Sequence, residues 1–139
     1  MKRAVGLVGL TCAAALLLAA PSQARIEQWG GKVEGGGKVG FQVKFKRGKP
    51  RAVGFLEITR LPVECSTGPT RVRVAHNALD VRVRKRRFSY TFRGFTASLK
   101  GRFNRKRNKA TGKIDYGPAD PEPSIGCDTN GPRSWTARK

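Results

Sequence analysis

The sequence predicts an all-β protein: a single-domain antiparallel β-sandwich of seven to nine strands, with a small closed β-barrel as the alternative. Three observations carry this. After residue 24, apolar residues recur at every second position and no stretch has a helical period. Period two, with β-branched and aromatic residues on one side and charge on the other, marks half-buried strands. Turn signals separate these runs at roughly 8–12-residue spacing, as in sandwiches and barrels. Residues 25–139 hold 15 Gly, well above the usual ~7% and suited to tight turns and bulges.

Residues 1–24 read as a cleaved secretory signal peptide. Lys2 and Arg3 begin it, Ala4 to Ala20 is a small-apolar run, and Pro21 breaks the run before Ser22-Gln23-Ala24. Small residues then occupy both recognition positions of the cleavage site. The run of 17 residues is short of the roughly 20 that span a bilayer. Cys12 lies inside the apolar run after Thr11, which argues against lipoprotein processing. The expected product is a secreted chain of 115 residues, 25–139, too short for a multidomain enzyme. It keeps Cys65 and Cys127, and an even pair in an oxidising compartment reads as one disulfide rather than two free thiols.

The strands follow in order. Val39, Phe41, Val43 and Phe45 form the first alternation. From Ala52 to Cys65 the phase slips: Leu56 and Ile58 share one phase, Leu61, Val63 and Cys65 the other. One extra residue near Thr59-Arg60 repairs it, so a bulge or kink is expected there. Pro62 points to an edge position or a break in the ladder. Val72 and Val74 come next, then Leu79, Val81 and Val83, then Phe88, Tyr90 and Phe92. Phe95, Ala97, Leu99, Gly101 and Phe103 make another run, and Ala110, Gly112, Ile114 and Tyr116 another. Arg133 to Ala137 is expected to close the fold around Trp135.

The chain carries 29 Lys+Arg against 9 Asp+Glu, a formal net charge of +20, and +18 once Lys2 and Arg3 are removed. Two runs concentrate the charge, 82–87 and 102–109. If strands alternate up and down from Lys38, the 47–51, 76–78 and 93–94 turns share one end. The 66–69, 85–87 and 104–109 turns then share the other, which gathers Arg84, Lys85, Arg86, Arg87, Arg105, Lys106, Arg107 and Lys109. The same parity separates Cys65 from the end of the Tyr116 strand, so residues 117–126 are expected to cross a face or edge to reach Cys127. Extended, ten residues span about 33 Å. Residues 115–132 carry Asp115, Asp120, Glu122 and Asp128 with no Lys or Arg. Lying across the body, they would neutralise part of the basic surface.

A dense cationic surface attracts polyanions and releases their counterions. Candidate partners for a secreted chain are anionic wall polymers, acidic polysaccharide, phospholipid head groups and extracellular DNA. The same charge also suits a merely solvated surface, because charge alone carries no specificity. Catalytic material is sparse. His76 is the single His, beside Asn77 in an expected exposed turn, and no Gly-x-Ser-x-Gly occurs. Glu57, Glu64 and Asp80 are scattered among basic neighbours, unlike the facing pair of a glycosidase. No calcium loop of the Asp-x-Asp-x-Asp-Gly kind and no phosphate-cradling glycine loop is present. No cofactor and no metal are expected. Trp29, Trp135 and Tyr90 suit a core better than a sugar-binding platform. Of the three, Trp29, flanked by Gln28 and Gly30-Gly31, is the leading candidate for exposure.

The order of features resembles small uncharacterised secreted β-sandwich proteins of high-GC Gram-positive bacteria. The shared pattern is a Gly-rich start and Val-x-Phe-x-Val strand (Trp29 to Phe45), then Val-Pro-Val-x-Cys, here Leu61 to Cys65 with Leu in the first place. Gly-x-Phe (Gly101 to Phe103), Ala-Thr-Gly-x-Ile (Ala110 to Ile114) and Gly-Cys-Asp-Thr…Trp-Thr-Ala (Gly126 to Ala137) complete it. The resemblance implies an extracellular sandwich with a Cys65–Cys127 bridge and transfers no catalytic or binding residue. The Arg/Lys density at the turns departs from it. The sequence thus points to a secreted non-catalytic binding protein for anionic extracellular or cell-envelope polymers. A small polysaccharide hydrolase and a cationic membrane-active or inhibitor protein are the alternatives.

Overall fold

Alternation in the sequence becomes ten antiparallel strands and no helix in the computed structural model, which describes residues 23–92, 96–117 and 126–139. The strands are β1 (Arg25–Val33), β2 (Gly37–Lys46), β3 (Lys49–Cys65), β4 (Gly68–His76), β5 (Val81–Arg82), β6 (Arg87–Thr91), β7 (Thr96–Phe103), β8 (Lys109–Gly117), β9 (Cys127–Asp128) and β10 (Arg133–Arg138). They join in one sheet of order β4-β3-β2-β1-β10-β8-β7-β6, with β5 and β9 added onto β3. The sheet curls into a half-barrel, so its two halves face each other across the core as the layers of a sandwich or small barrel do.

Curling is built into β3, the longest strand at 17 residues. Its register slips against β2 between Gly40 and Gln42 and between Lys44 and Phe45, and against β4 between Ile58 and Leu61. Each slip sets one extra β3 residue against its partner, which bends the strand and increases its twist. The third is the bulge that the phase slip predicts, with Arg60 at φ 55°. Pro62 pairs with Arg71 of β4 beyond the last β2 pair, Lys38 with Thr59, where one side of the ladder has ended. β10 enters between β1 and β8 and closes the middle of the sheet, as expected around Trp135.

The inward positions make one core. Trp29, Phe41, Phe88, Phe103 and Trp135 lie with ring centroids 5.2–6.1 Å apart, edge-on, tilted or stacked. Trp29 is 1% and Trp135 2% exposed, so the core reading holds for both and Trp29 is not the exposed member of the aromatic set. Its flanking glycines do not expose it, because the β1 backbone continues its alternation through them. Trp135 lies over Gly101 and Gly112, where an added Cβ would come within 2.8 and 2.6 Å of its ring. Large rings over missing side chains fill the curved interior to native density.

Strand parity differs from the expectation at one place. After His76 the chain does not turn back. It bulges across Gly54 and resumes as β5 in the same direction, pairing Val81 with Val53 and Arg82 with Ala52. Gly54 permits this: a Cβ there would lie 2.0 Å from the Ala78 carbonyl oxygen. The Phe55 amide donates to that oxygen at 3.1 Å. The 84–87 and 104–108 turns therefore join the 47–48 turn, not the 66–67 turn. The 93–94 turn lies outside the described residues.

The disulfide conflict disappears with the parity. β8 ends where β3 ends, and Cys65 and Cys127 are bonded directly opposite each other in the β3–β9 pair. The Thr129 amide donates to the Tyr116 carbonyl at 2.8 Å and fixes β9 beside the end of β8. No crossing of the domain is needed, contrary to the expectation for 117–126, of which 118–125 lie outside the described residues.

Candidate functional site

Three turns form the basic pole. The β2–β3 and β5–β6 connections are two-residue turns, Arg47-Gly48 and Lys85-Arg86, with all four residues at positive φ (52°, 66°, 47° and 68°). That is the requirement of a type I′ hairpin turn, a position that favours Asn and Gly. The second is closed by reciprocal backbone bonds between Arg84 and Arg87 at 2.9 and 2.8 Å. The β7–β8 turn is folded by Asn104. Its Oδ1 accepts from the Asn108 and Lys109 amides at 3.1 and 3.3 Å, and its backbone amide donates to the Lys109 carbonyl at 2.9 Å.

The turns are tied to one another. The Arg107 guanidinium donates to the Gly48 carbonyl, so the β7–β8 turn is pinned to the β2–β3 turn. The Phe103 amide donates to the Arg86 carbonyl at 2.8 Å, and the Arg86 guanidinium reaches back to the Phe103 carbonyl at 3.4 Å. Two arginines thus spend part of their donor set as struts. Arg84, Lys85, Arg87, Arg105 and Lys106 remain exposed. The sequence grouping of 84–87 with 105–109 is met in space, and Arg47 joins it.

Charge at this pole is nearly uncompensated. Among the described residues, no carboxylate lies within ion-pair distance of Arg84–Arg87 or Arg105–Lys109. Of the acids towards this end, Glu27 is held by Arg25 at 2.7 Å and Lys139 at 3.5 Å, and Asp80 is held by His76 at 2.6 Å. Asp115 and Asp128 are engaged elsewhere, accepting from Thr129 at 3.3 Å and from the Asn130 amide at 2.7 Å. They lie towards the Cys65–Cys127 end, so they do not neutralise the pole. Two shallow arginine-lined hollows flank the β5–β6 turn. One of about 380 Å³ holds Arg86, Arg102, Arg105 and Lys109, and one of about 440 Å³ holds Arg82, Arg84, Arg87 and Lys100. Chemically the pole is a fixed array of cations with donors to spare, suited to phosphate, sulfate or carboxylate groups.

A second constellation was not legible as a site. Where the β4 edge meets β6, His76 stacks on Tyr90 with centroids 4.1 Å apart. The Tyr90 hydroxyl lies 2.8 Å from Nδ1, and Asp80 Oδ1 lies 2.6 Å from Nε2. The His76 side chain is 17% exposed, so it is a seam residue and not the exposed turn residue expected. The i, i+4 spacing of His76 and Asp80 was visible in the sequence, but Tyr90 arrives from a separate strand.

Among the described residues no group of three or more His, Cys, Asp or Glu is placed to hold a metal ion, and no helix is long and apolar enough to cross a membrane. No protein family, no curated protein and no solved structure matches this chain.

Proposed function

We propose that the protein is a secreted, non-catalytic binding protein whose basic pole takes an anionic polymer of the cell envelope or the extracellular space. One observation carries this reading. Arg47, Lys85, Arg86 and Arg107 all sit at positive φ at the same pole. A left-handed residue other than Gly costs roughly 1–2 kcal/mol. Strain of this kind persists where the surrounding structure over-determines it, and it clusters at functional sites. Arg86 and Arg107 also brace the turns, but Arg47 and Lys85 make no such bond among the described residues, and a chain needing only a soluble surface gains nothing from cations at those two positions.

The Cys65–Cys127 disulfide is compatible with an oxidising compartment. The hydrolase alternative needs two facing carboxylates, whereas Glu57 is paired with Arg73 at 2.6 Å and Asp80 with His76. The membrane-active alternative needs an apolar face among the cations. Among the described residues the exposed large apolar ones are Ile26 and Phe55, on different strands.

The test is binding to heparin, an anionic wall polymer, DNA and a neutral polysaccharide, at low and at physiological salt. It runs beside a variant with 84–87 and 105–109 neutralised. Selective binding that survives physiological salt and is lost in the variant supports the reading. Binding that is indiscriminate and vanishes with salt refutes it. Leakage from anionic vesicles would favour the membrane-active alternative.

A further inference from the structure

The two edges of the curled sheet meet beside β6, and side chains join them there instead of a ladder. A hollow of about 670 Å³ opens at this seam, lined by His76, Asn77, Asp80, Ser89, Tyr90 and Thr91 among others. Both ring nitrogens of His76 are engaged, by Asp80 and by Tyr90, so the imidazole orients its neighbours and is not free to react. What faces the hollow unengaged is polar and mixed. Among the described residues the Asn77 side-chain amide and the Ser89 and Thr91 hydroxyls have no hydrogen-bond partner, and His76 engages one oxygen of Asp80. Carboxylate, amide and hydroxyls together supply the alternating donors and acceptors that adjacent hydroxyls of a sugar ring require.

Charge decides which part of a ligand belongs here. The exposed Asp80 carboxylate repels a phosphate or a sulfate, so the seam suits an uncharged, hydroxyl-rich group. Ser89 also lines the neighbouring hollow of Arg82, Arg84, Arg87 and Lys100, which suits an anionic group. Two adjoining compartments of opposite preference match a polymer that alternates neutral rings with charged substituents. Nucleic acid fits less well. It carries a phosphate at every step, and its bases need an open aromatic face. Tyr90 is stacked on His76 and meets Phe92 at 90°.

We infer that the polymer taken at this protein's basic pole is an acidic polysaccharide, one uncharged ring of which is seated in the seam hollow by Asn77, Asp80 and Ser89. This rests on the reading of the pole as a polymer site.

The experiment titrates the protein with a short hyaluronan fragment, in which glucuronate alternates with uncharged N-acetylglucosamine, and with single-stranded DNA of matched charge. It is repeated for Asp80→Asn, Ser89→Ala and the pole variant Lys85→Gln/Arg105→Gln. Asn at position 80 keeps an oxygen for the His76 N–H while removing a negative charge. A purely electrostatic role therefore predicts tighter binding of both probes by Asp80→Asn. The inference predicts hyaluronan binding about tenfold weaker, with DNA binding unchanged or tighter, a tenfold change being about 1.4 kcal/mol. Ser89→Ala, an exposed change with no effect on charge, should weaken hyaluronan about threefold and leave DNA unmoved. If both seam variants leave the hyaluronan-to-DNA preference unchanged while the pole variant weakens both probes, the saccharide inference fails and the pole stands. If the pole variant leaves hyaluronan binding intact, the pole reading fails, and this inference with it.

Discussion

Lys85 and Arg86 hold the two central positions of a turn whose backbone favours Asn and Gly. Replacing them with those residues should therefore separate folding from binding. Lys85→Asn/Arg86→Gly relieves left-handed strain at two positions and removes two charges from a self-repelling pole. Unfolding in urea should show a gain of about 1 kcal/mol, moderated by loss of the long Arg86 bond to the Phe103 carbonyl and by the greater chain freedom of glycine in the unfolded state. Heparin binding should weaken, and the slope of log affinity against log salt should become shallower by about one to two units, as for lost phosphate-like contacts. A variant that is less stable, or that binds as before, would show that these cations were kept for the turn and not for a ligand.

At the scale of elements, β3 organises the sheet, and Gly54 is its most constrained point. A side chain there would meet the backbone of Ala78 and Leu79. Gly54→Val should force the 77–80 bulge away and destabilise by about 1–3 kcal/mol as an overpacked site. A melting temperature lowered by roughly 4–8 °C per kcal/mol is the readout, and an unchanged value would mean that the bulge does not rest on β3. Gly54 also explains why strand parity was illegible: His76-Asn77 has the local composition of a turn, and the reason it is not one lies more than twenty residues upstream. The bulge at Arg60 was legible because it breaks an apolar pattern, whereas that at Phe55 puts an apolar residue outward and disguises itself. β1 was hidden in the same way. Its inward series is Trp29, Gly31 and Val33, with a glycine where an apolar residue would advertise the strand, while Ile26 faces solvent at 55% exposure. The clustering of 84–87 with 105–109 was legible because both connections sit at the same end under either parity. The seam of His76, Asp80 and Tyr90 was not, because it depends on the curl.

The whole molecule is polarised. One end holds three laced basic turns, and the other holds the Cys65–Cys127 bond, with 62 residues of sequence separation. In chain-entropy terms that crosslink stabilises by about 4 kcal/mol. Cys65→Ser/Cys127→Ser should lose about 2–4 kcal/mol in urea unfolding without changing heparin affinity at temperatures where the variant is folded, since the bond and the pole are at opposite ends. Loss of affinity in the folded variant would mean that the disulfide shapes the site. Salt should act on the two properties with opposite signs. A formal charge of +18 for residues 25–139 repels itself in the compact state, and the Debye length falls from about 30 Å at 0.01 M salt to about 8 Å at 0.15 M. Raising salt across that range should therefore raise the melting temperature of the free protein while weakening its polyanion complex. A polyanion that binds the folded state adds stability in proportion to the logarithm of its concentration over its dissociation constant. Heparin should then raise the melting temperature strongly at 0.01 M salt and by less at 0.15 M. The residual shift at 0.15 M is the informative number, because screened long-range attraction has mostly gone and what remains reflects contacts made by the fixed turns. A residual that disappears altogether would assign the effect to net charge alone.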